Sequence, residues 1–425
     1  MEERSFLHLS KDELNARLAQ YEAEYKEFAA QNLALNMARG KPAPDLLDSN
    51  MDLLVGMNDT TAADGTDIRN YGVLDGLPEM RAFFGEVLGI SPERIIVGGN
   101  SSLNMMYDSI ARIMLFGTCG NAPWSSCAKR KFLCPSPGYD RHFAVTEEFG
   151  FELIPVKMTA NGPDMDEVEA LCANDPDIKG IWCVPLYSNP QGICYSDEVV
   201  ARLGKMAAAP DFRIFWDNAY GVHHLTGETA LADIFEACEK GGNPERALYF
   251  FSTSKITFPG AGVAMMACGP ESRKEVIKRM GVQTIGSDKI NQLRTLKYLK
   301  DATTLKAQMQ KLAGLLNPKF KIVADMLEAE LGGTGLAEWT NPKGGYFVAL
   351  DTLDGCAKAT VQLAKEAGVT MTGAGATYPY KRDPRDRNIR IAPTYPDCGE
   401  LTVAMKLFCV CVKLAGVRHL LENKA

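Results

Sequence analysis

Lys255 lies in the run FFSTSKITFPGAG, just after an apolar strand-like stretch and among serines and glycines. A lysine amine facing a cavity can form a Schiff base with an aldehyde cofactor. Three polar clusters precede it: GGNSS at 98–102, NPQG at 189–192 and DNAY at 217–220. Asp217 follows the run RIFW, so it can act as a helix cap. It can also lie under a pyridine ring, where a carboxylate keeps the ring nitrogen protonated and preserves the ring as an electron sink. Tyr220 is three residues further on; its phenol and the Asn189 amide together could stabilise a phenolate and lower the pKa of an attached imine. NPQG has the composition of a turn, and its position 28 residues before Asp217 gives it further weight. Ser101 and Ser102 open a helical pattern, where free amides and the helix dipole favour a phosphate, although serines there also serve as caps. Ser252 and Ser254 could add hydroxyl donors.

These groups need elements to hold them. Apolar runs at 94–98, 131–134, 180–184, 213–216, 247–252 and 262–267 alternate with helical stretches, which predicts a mostly parallel sheet covered by helices. Such sheets bind ligands beyond the carboxyl ends of their strands, and the polar candidates, with Tyr139, fall just after these runs. Before the sheet, Ser10 and Glu13 have capping-box spacing, and Leu14, Leu18, Tyr21, Tyr25 and Phe28 recur at helical intervals. The period is lost at Gly40, Pro42 and Pro44. After the sheet, Leu293, Leu296 and Leu299 mark a helical region and Pro318 a break or a new helix start. WTNPKGGYFVALD reads as a hairpin-like strand, NIRIAP as another, and Leu401, Met405, Phe408, Val412 and Ala415 as the stripe of a terminal helix. Residues 1–55 and 301–425 are therefore expected to build a smaller α+β domain, and 56–300 the large one.

The chain has 425 residues, 46% of them hydrophobic, enough for two or three domain-sized units. Its net charge of −7 comes from interspersed acids and bases, so neither a nucleic acid nor a membrane partner is expected. The twelve cysteines are scattered without a CxxC and read as reduced, mostly buried thiols. His223 and His224 are adjacent, which is not metal-ligand spacing on a helix, and no metal is expected. The start, MEERSFLHLSKDEL, lacks the apolar core of a secretory signal, and a cytoplasmic location is expected.

The ordered set NPxG, DxAY, SxSK and a late arginine resembles the fold-type I pyridoxal-phosphate enzymes of the class I and II aminotransferases, over residues 30–420 or so. Within them, ARGKP and TSKITFPGAG are similar to the bacterial aspartate aminotransferase-like branch. The resemblance implies a seven-stranded, mostly parallel sheet with helices on both faces. It makes Lys255 the Schiff-base lysine, Asp217 the partner of the ring nitrogen, and Tyr220 and Asn189 the partners of the phenolate. Tyr139, in PSPGYDRHF, matches the aromatic that stacks on the pyridine ring; it could also simply pack in the core. Tyr71 matches a tyrosine that reaches the neighbouring subunit's phosphate, which implies a homodimer with shared active sites. Arg390 matches the arginine that pairs with the substrate α-carboxylate; by spacing alone Arg382, Arg385 and Arg387 are alternatives. The segment holding Arg39, Gly40 and Lys41 approaches the substrate in this family, so Arg39 and Lys41 are candidates for a distal carboxylate. One departure is Val263, where many relatives carry a phosphate-binding arginine eight residues after the lysine. The implied activity is ping-pong transamination from an amino acid, aspartate first, to 2-oxoglutarate. Aromatic or neutral amino acids, or lyase or decarboxylase chemistry on the same cofactor, are the alternatives.

Overall fold

The computed structural model describes residues 5–55 and 57–424; the first four residues of the start read above, Gly56 at the proposed domain boundary and Ala425 lie outside the described residues. The N-terminal helix α1, Lys11–Ala29, begins at the expected capping box, with Ser10 and Glu13 each accepting from the other's backbone amide. Such a cap contributes about 1 kcal/mol.

The large sheet contains β1 (Ile95–Val97), β2 (Lys131–Ser136), β3 (Glu152–Thr159), β4 (Gly162–Pro163), β5 (Ile178–Cys183), β6 (Arg213–Asp217), β7 (Ala247–Ser252) and β8 (Ala264–Cys268). Their order is β1-β8-β7-β6-β5-β2-β3-β4. Strands β7, β6, β5, β2 and β3 pair in parallel, while β8 runs antiparallel to both β1 and β7. Seven strands match the expected number, and the two-residue β4 is a short antiparallel return on β3. β3 carries no obvious apolar run because its burial alternates and it contains Pro155. Its outer side pairs only at its end, and a proline is tolerated at such an edge.

Both faces of the sheet are covered, as a parallel sheet requires. In β6, Ile214 and Trp216 belong to one apolar core while Phe215 packs in the other with Phe132 and Trp182. The period-two alternation therefore places Asp217 on the face of Phe215, which decides what it meets below.

The smaller sheet orders β9 (Ala337–Trp339), β10 (Val348–Thr352) and β11 (Asn388–Ile391) antiparallel, with Arg390 opposite Ala349. A parallel two-residue pair, Leu35–Asn36 with Val369–Thr370, ties the N-terminal segment to this part of the chain. The terminal helix, Cys398–Asn423, has its expected stripe buried and lies against α1 and the helix Ala302–Leu331. That last helix corrects the sequence expectation, because it runs unbroken through Pro318. An internal proline costs roughly 3 kcal/mol. Buried Leu312, Leu316, Phe320 and Val323 on both sides of it each return about 1.5–3 kcal/mol.

All twelve cysteines are free thiols, eight of them buried. Among the described residues no helix is long and apolar enough to cross a membrane.

Candidate active site

Five strand ends meet as the sequence suggested. The carboxyl ends of β1, β2, β5, β6 and β7 lie along one edge of the sheet and lead respectively to Ser101, Tyr139, Asn189, Asp217 and Lys255. Asp217, 3% exposed, is the last residue of β6. Its Oδ2 accepts a 2.8 Å hydrogen bond from His142 Nε2, and the His142 ring stacks on Trp182 with centroids 4.3 Å apart. The other oxygen, Oδ1, is buried and has no partner among the described residues. A buried unpaired acceptor costs about 1–3 kcal/mol, so a cationic N–H donor is the group that this position suits. The protonated nitrogen of a pyridine ring meets that requirement.

Lys255 follows β7 by three residues and is half-buried, with Nζ 4.9 Å from the centre of the Tyr220 ring. Burial pushes its amine below the ordinary lysine range, opposed by the Asp217 charge. That shift favours the neutral, nucleophilic amine. Burial, then the nearby Tyr139 and Asp217, push the Tyr220 phenol well above its usual value, so it stays a hydrogen-bond donor at neutral pH. Tyr139 is likewise pushed up to about 12, chiefly by burial, and its ring meets His142 edge-on at 4.9 Å.

Ser101 caps the helix α2, Ser102–Phe116, by accepting from Asn104 N, which leaves its hydroxyl proton for a ligand. Ser102 is the first helical residue. Ser252 Oγ accepts from Ser254 N, whereas the Ser254 hydroxyl donates to Asn100 O and so joins the two loops. Val263 is 1% exposed and bonded through its backbone to Thr253, and brings no cation to this cluster. Hydroxyls, backbone amides and the end of α2 are what these residues offer a phosphate.

On the small-sheet side, Arg390 is 7% exposed with its guanidinium 5.0 Å above the Phe347 ring. Its Nη1 donates to Asn189 Oδ1 at 3.2 Å and to Asp140 Oδ1 at 2.8 Å. Of the other arginines, Arg385 pairs with Asp354, and Arg387 lies near Asp351, Asp354 and Glu338. Arg382 is exposed. Gly40 lies against Phe347 so closely that an added Cβ would sit 2.3 Å from the ring Cζ. Arg39 and Lys41 are exposed, and the Lys41 amine lies 3.9 Å over the Tyr395 ring. Tyr71 is 80% exposed, and among the described residues its phenol makes no hydrogen bond.

Sequence reasoning missed His142, Asp140, Phe347 and His223. His142 was within reach, because it sits three residues after Tyr139 at the start of the helix α3, Asp140–Glu148, and so on the same face. His223 is buried beside Tyr220, Tyr346 and the Lys255 backbone, and among the described residues neither ring nitrogen has a well-formed hydrogen bond. Burial, with Lys255 nearby, lowers its pKa to about 3 and keeps it neutral.

The family model for aspartate amino-transferase matches residues 9–424. The aspartate aminotransferase of Corynebacterium glutamicum is 46% identical over 401 residues, 93% of each chain. The crystal structure of an aspartate transaminase from that organism superposes with a TM-score of 0.96 at 44% identity, covering 98% of this chain and 99% of that one. At 20% identity, an alpha-aminoadipate aminotransferase of Thermus thermophilus, complexed with N-(5'-phosphopyridoxyl)-L-leucine, shares the fold with a TM-score of 0.72 over 91% of this chain and 93% of that one. The chain thus belongs to the aspartate aminotransferase family, and it is a fold-type I, pyridoxal-phosphate-dependent transaminase of the aspartate aminotransferase-like kind.

Proposed function

We propose that the protein transfers the amino group of aspartate to 2-oxoglutarate in two half-reactions at one site. The observation that carries this reading is the unpaired Asp217 Oδ1 in the same buried cluster as the depressed Lys255 amine. Bound pyridoxal phosphate supplies an electron sink for the substrate's α-carbon electrons. Lys255 would hold the aldehyde and, when released, its amine would carry the α-proton. Asp217, steadied by His142, would keep the ring nitrogen protonated, while Tyr220 and Asn189 would hydrogen-bond the phenolic oxygen. Tyr139 would pack against the ring, and Ser101, Ser102, Ser252 and Ser254, with nearby backbone amides, would line the phosphate side.

Arg390, with Asn189 and the Gly40 segment beside it, takes the α-carboxylate. The relationship to the Corynebacterium glutamicum aspartate aminotransferase favours a dicarboxylic substrate. The exposed Arg39 is then the freer cation for the distal carboxylate, because Lys41 already rests on Tyr395. A homodimer fits the exposure of Tyr71, whose phenol is available to a neighbouring subunit's phosphate. Residues 1–55 with 301–425 serve as the small domain and 56–300 as the large one. Keto-acid formation across an amino-acid panel tests this reading: aspartate and glutamate should lead, and absence of any dicarboxylate preference would sink it.

A further inference from the structure

We propose that Asp140 is a positioning residue for the substrate's α-carboxylate, acting through Arg390. This rests on the reading of Arg390 as the carboxylate ligand. Asp140 is the first residue of α3, directly after Tyr139, and its side chain is about one-third exposed (32%). Its Oδ1 and Asn189 Oδ1 both accept from the same nitrogen, Arg390 Nη1. A planar guanidinium has only a few ways to offer two parallel donors. With Nη1 committed to two acceptors, the edge formed by Nε and Nη2 is the one left, and Nε is buried without a partner. Phe347 lies 5.0 Å below the guanidinium, which restricts tilting. Together these contacts fix the plane and rotation of the fork before a substrate arrives.

The same geometry separates positioning from competition. A carboxylate that blocked Arg390 would lie across the Nε and Nη2 edge; Asp140 lies on the other side. Its removal should therefore weaken binding of every substrate that carries an α-carboxylate, for donor and acceptor alike. A merely structural residue would instead lower stability or cofactor content.

The test compares Asp140→Ala, Asp140→Asn and Arg390→Lys holoenzymes by steady-state kinetics with aspartate and 2-oxoglutarate, and by spectral titration with succinate, a dicarboxylate that has neither an amino nor a keto group and so cannot react. The expected result for Asp140→Ala is a rise of about tenfold in both KM values and in the succinate Kd, with kcat changed less than about threefold. Asp140→Asn keeps an acceptor and should recover most of this, leaving a rise of about threefold. Should the alanine variant fail to fold, the asparagine variant decides by the same three constants. Unchanged or lowered KM values at position 140, with Arg390→Lys still raising them, would overturn the proposal and leave the reading of Arg390 standing. Unchanged KM values in Arg390→Lys would remove that reading and this proposal with it.

Discussion

His142 Nε2 holds one oxygen of Asp217 at 2.8 Å while the other oxygen of the same carboxylate is buried and unpaired. One oxygen of the carboxylate is thus engaged by His142, and the proposed reading gives the other to the cofactor's ring nitrogen. The two residues should differ in what their loss costs. Breaking a buried charged pair costs about 3–5 kcal/mol, so Asp217→Ala should slow the half-reaction with aspartate by roughly two to four orders of magnitude. His142→Phe removes one hydrogen bond to a charged group, about 1.5–3 kcal/mol, and should slow it by roughly tenfold to a hundredfold. Single-turnover rates check the order, and equal losses would contradict it.

Tyr220 should act as a donor. Its phenol is held well above its usual pKa by burial, so it keeps its proton throughout the working range. On the proposed role of Tyr220, Tyr220→Phe would remove a hydrogen bond to the cofactor's charged oxygen, about 1.5–3 kcal/mol, and should raise the pH of the cofactor's colour change by about one to two units. A pH titration of the absorption spectrum measures this, and an unshifted titration would place Tyr220 elsewhere.

Much of the sheet was legible because fully buried parallel strands such as RIFW and ALYFFS are short and continuously apolar, and because polar residues end them. β3 was not, since Pro155 and alternating burial conceal it. The course through Pro318 was hidden for another reason: packing of Leu316 and Phe320 on either side decides it, and sequence preference alone argues for a break. The polar cluster was largely readable through motif order. His142 could have been reached from its spacing after Tyr139, but Asp140, Phe347 and His223 meet the cluster through contacts between distant segments, and no local spacing announces a pairing such as Asp140 with Arg390 across 250 residues.

Gly40 is a close-approach position. An added methyl would sit 2.3 Å from Phe347 Cζ and must push the ring that lies under Arg390. Overpacking of this kind costs about 1–3 kcal/mol. Gly40→Ala should raise KM for both substrates several-fold and lower the melting temperature, whereas unchanged constants would show that the segment yields freely.

His223 gives stability a definite pH dependence. Its folded pKa is about 3, set by burial and then by the Lys255 charge, opposed by the Lys255 backbone, with His224 a smaller cause and the Tyr220 and Tyr346 rings packed beside it. An unfolded chain takes up this proton near pH 6.5 and the folded one refuses it, so the contribution is full above about 6.5 and is lost as pH falls towards the folded value. Between about pH 7.5 and 4.5 this residue should cost roughly 2–3 kcal/mol. Urea unfolding of the wild type and of His223→Phe over that range should show a shallower loss in the variant, and parallel curves would contradict the assignment.

In the proposed reaction Lys255 anchors an aldehyde cofactor which accepts the amino group of aspartate. The most direct measurement is the absorption spectrum of the purified protein with pyridoxal phosphate, before and after aspartate, beside that of Lys255→Ala. Aspartate should convert the lysine-linked aldehyde band to the amine form of the cofactor, 2-oxoglutarate should reverse this, and the variant should show neither the linked band nor catalytic turnover. A protein that binds no added pyridoxal phosphate, or a variant that behaves as the wild type does, would contradict it.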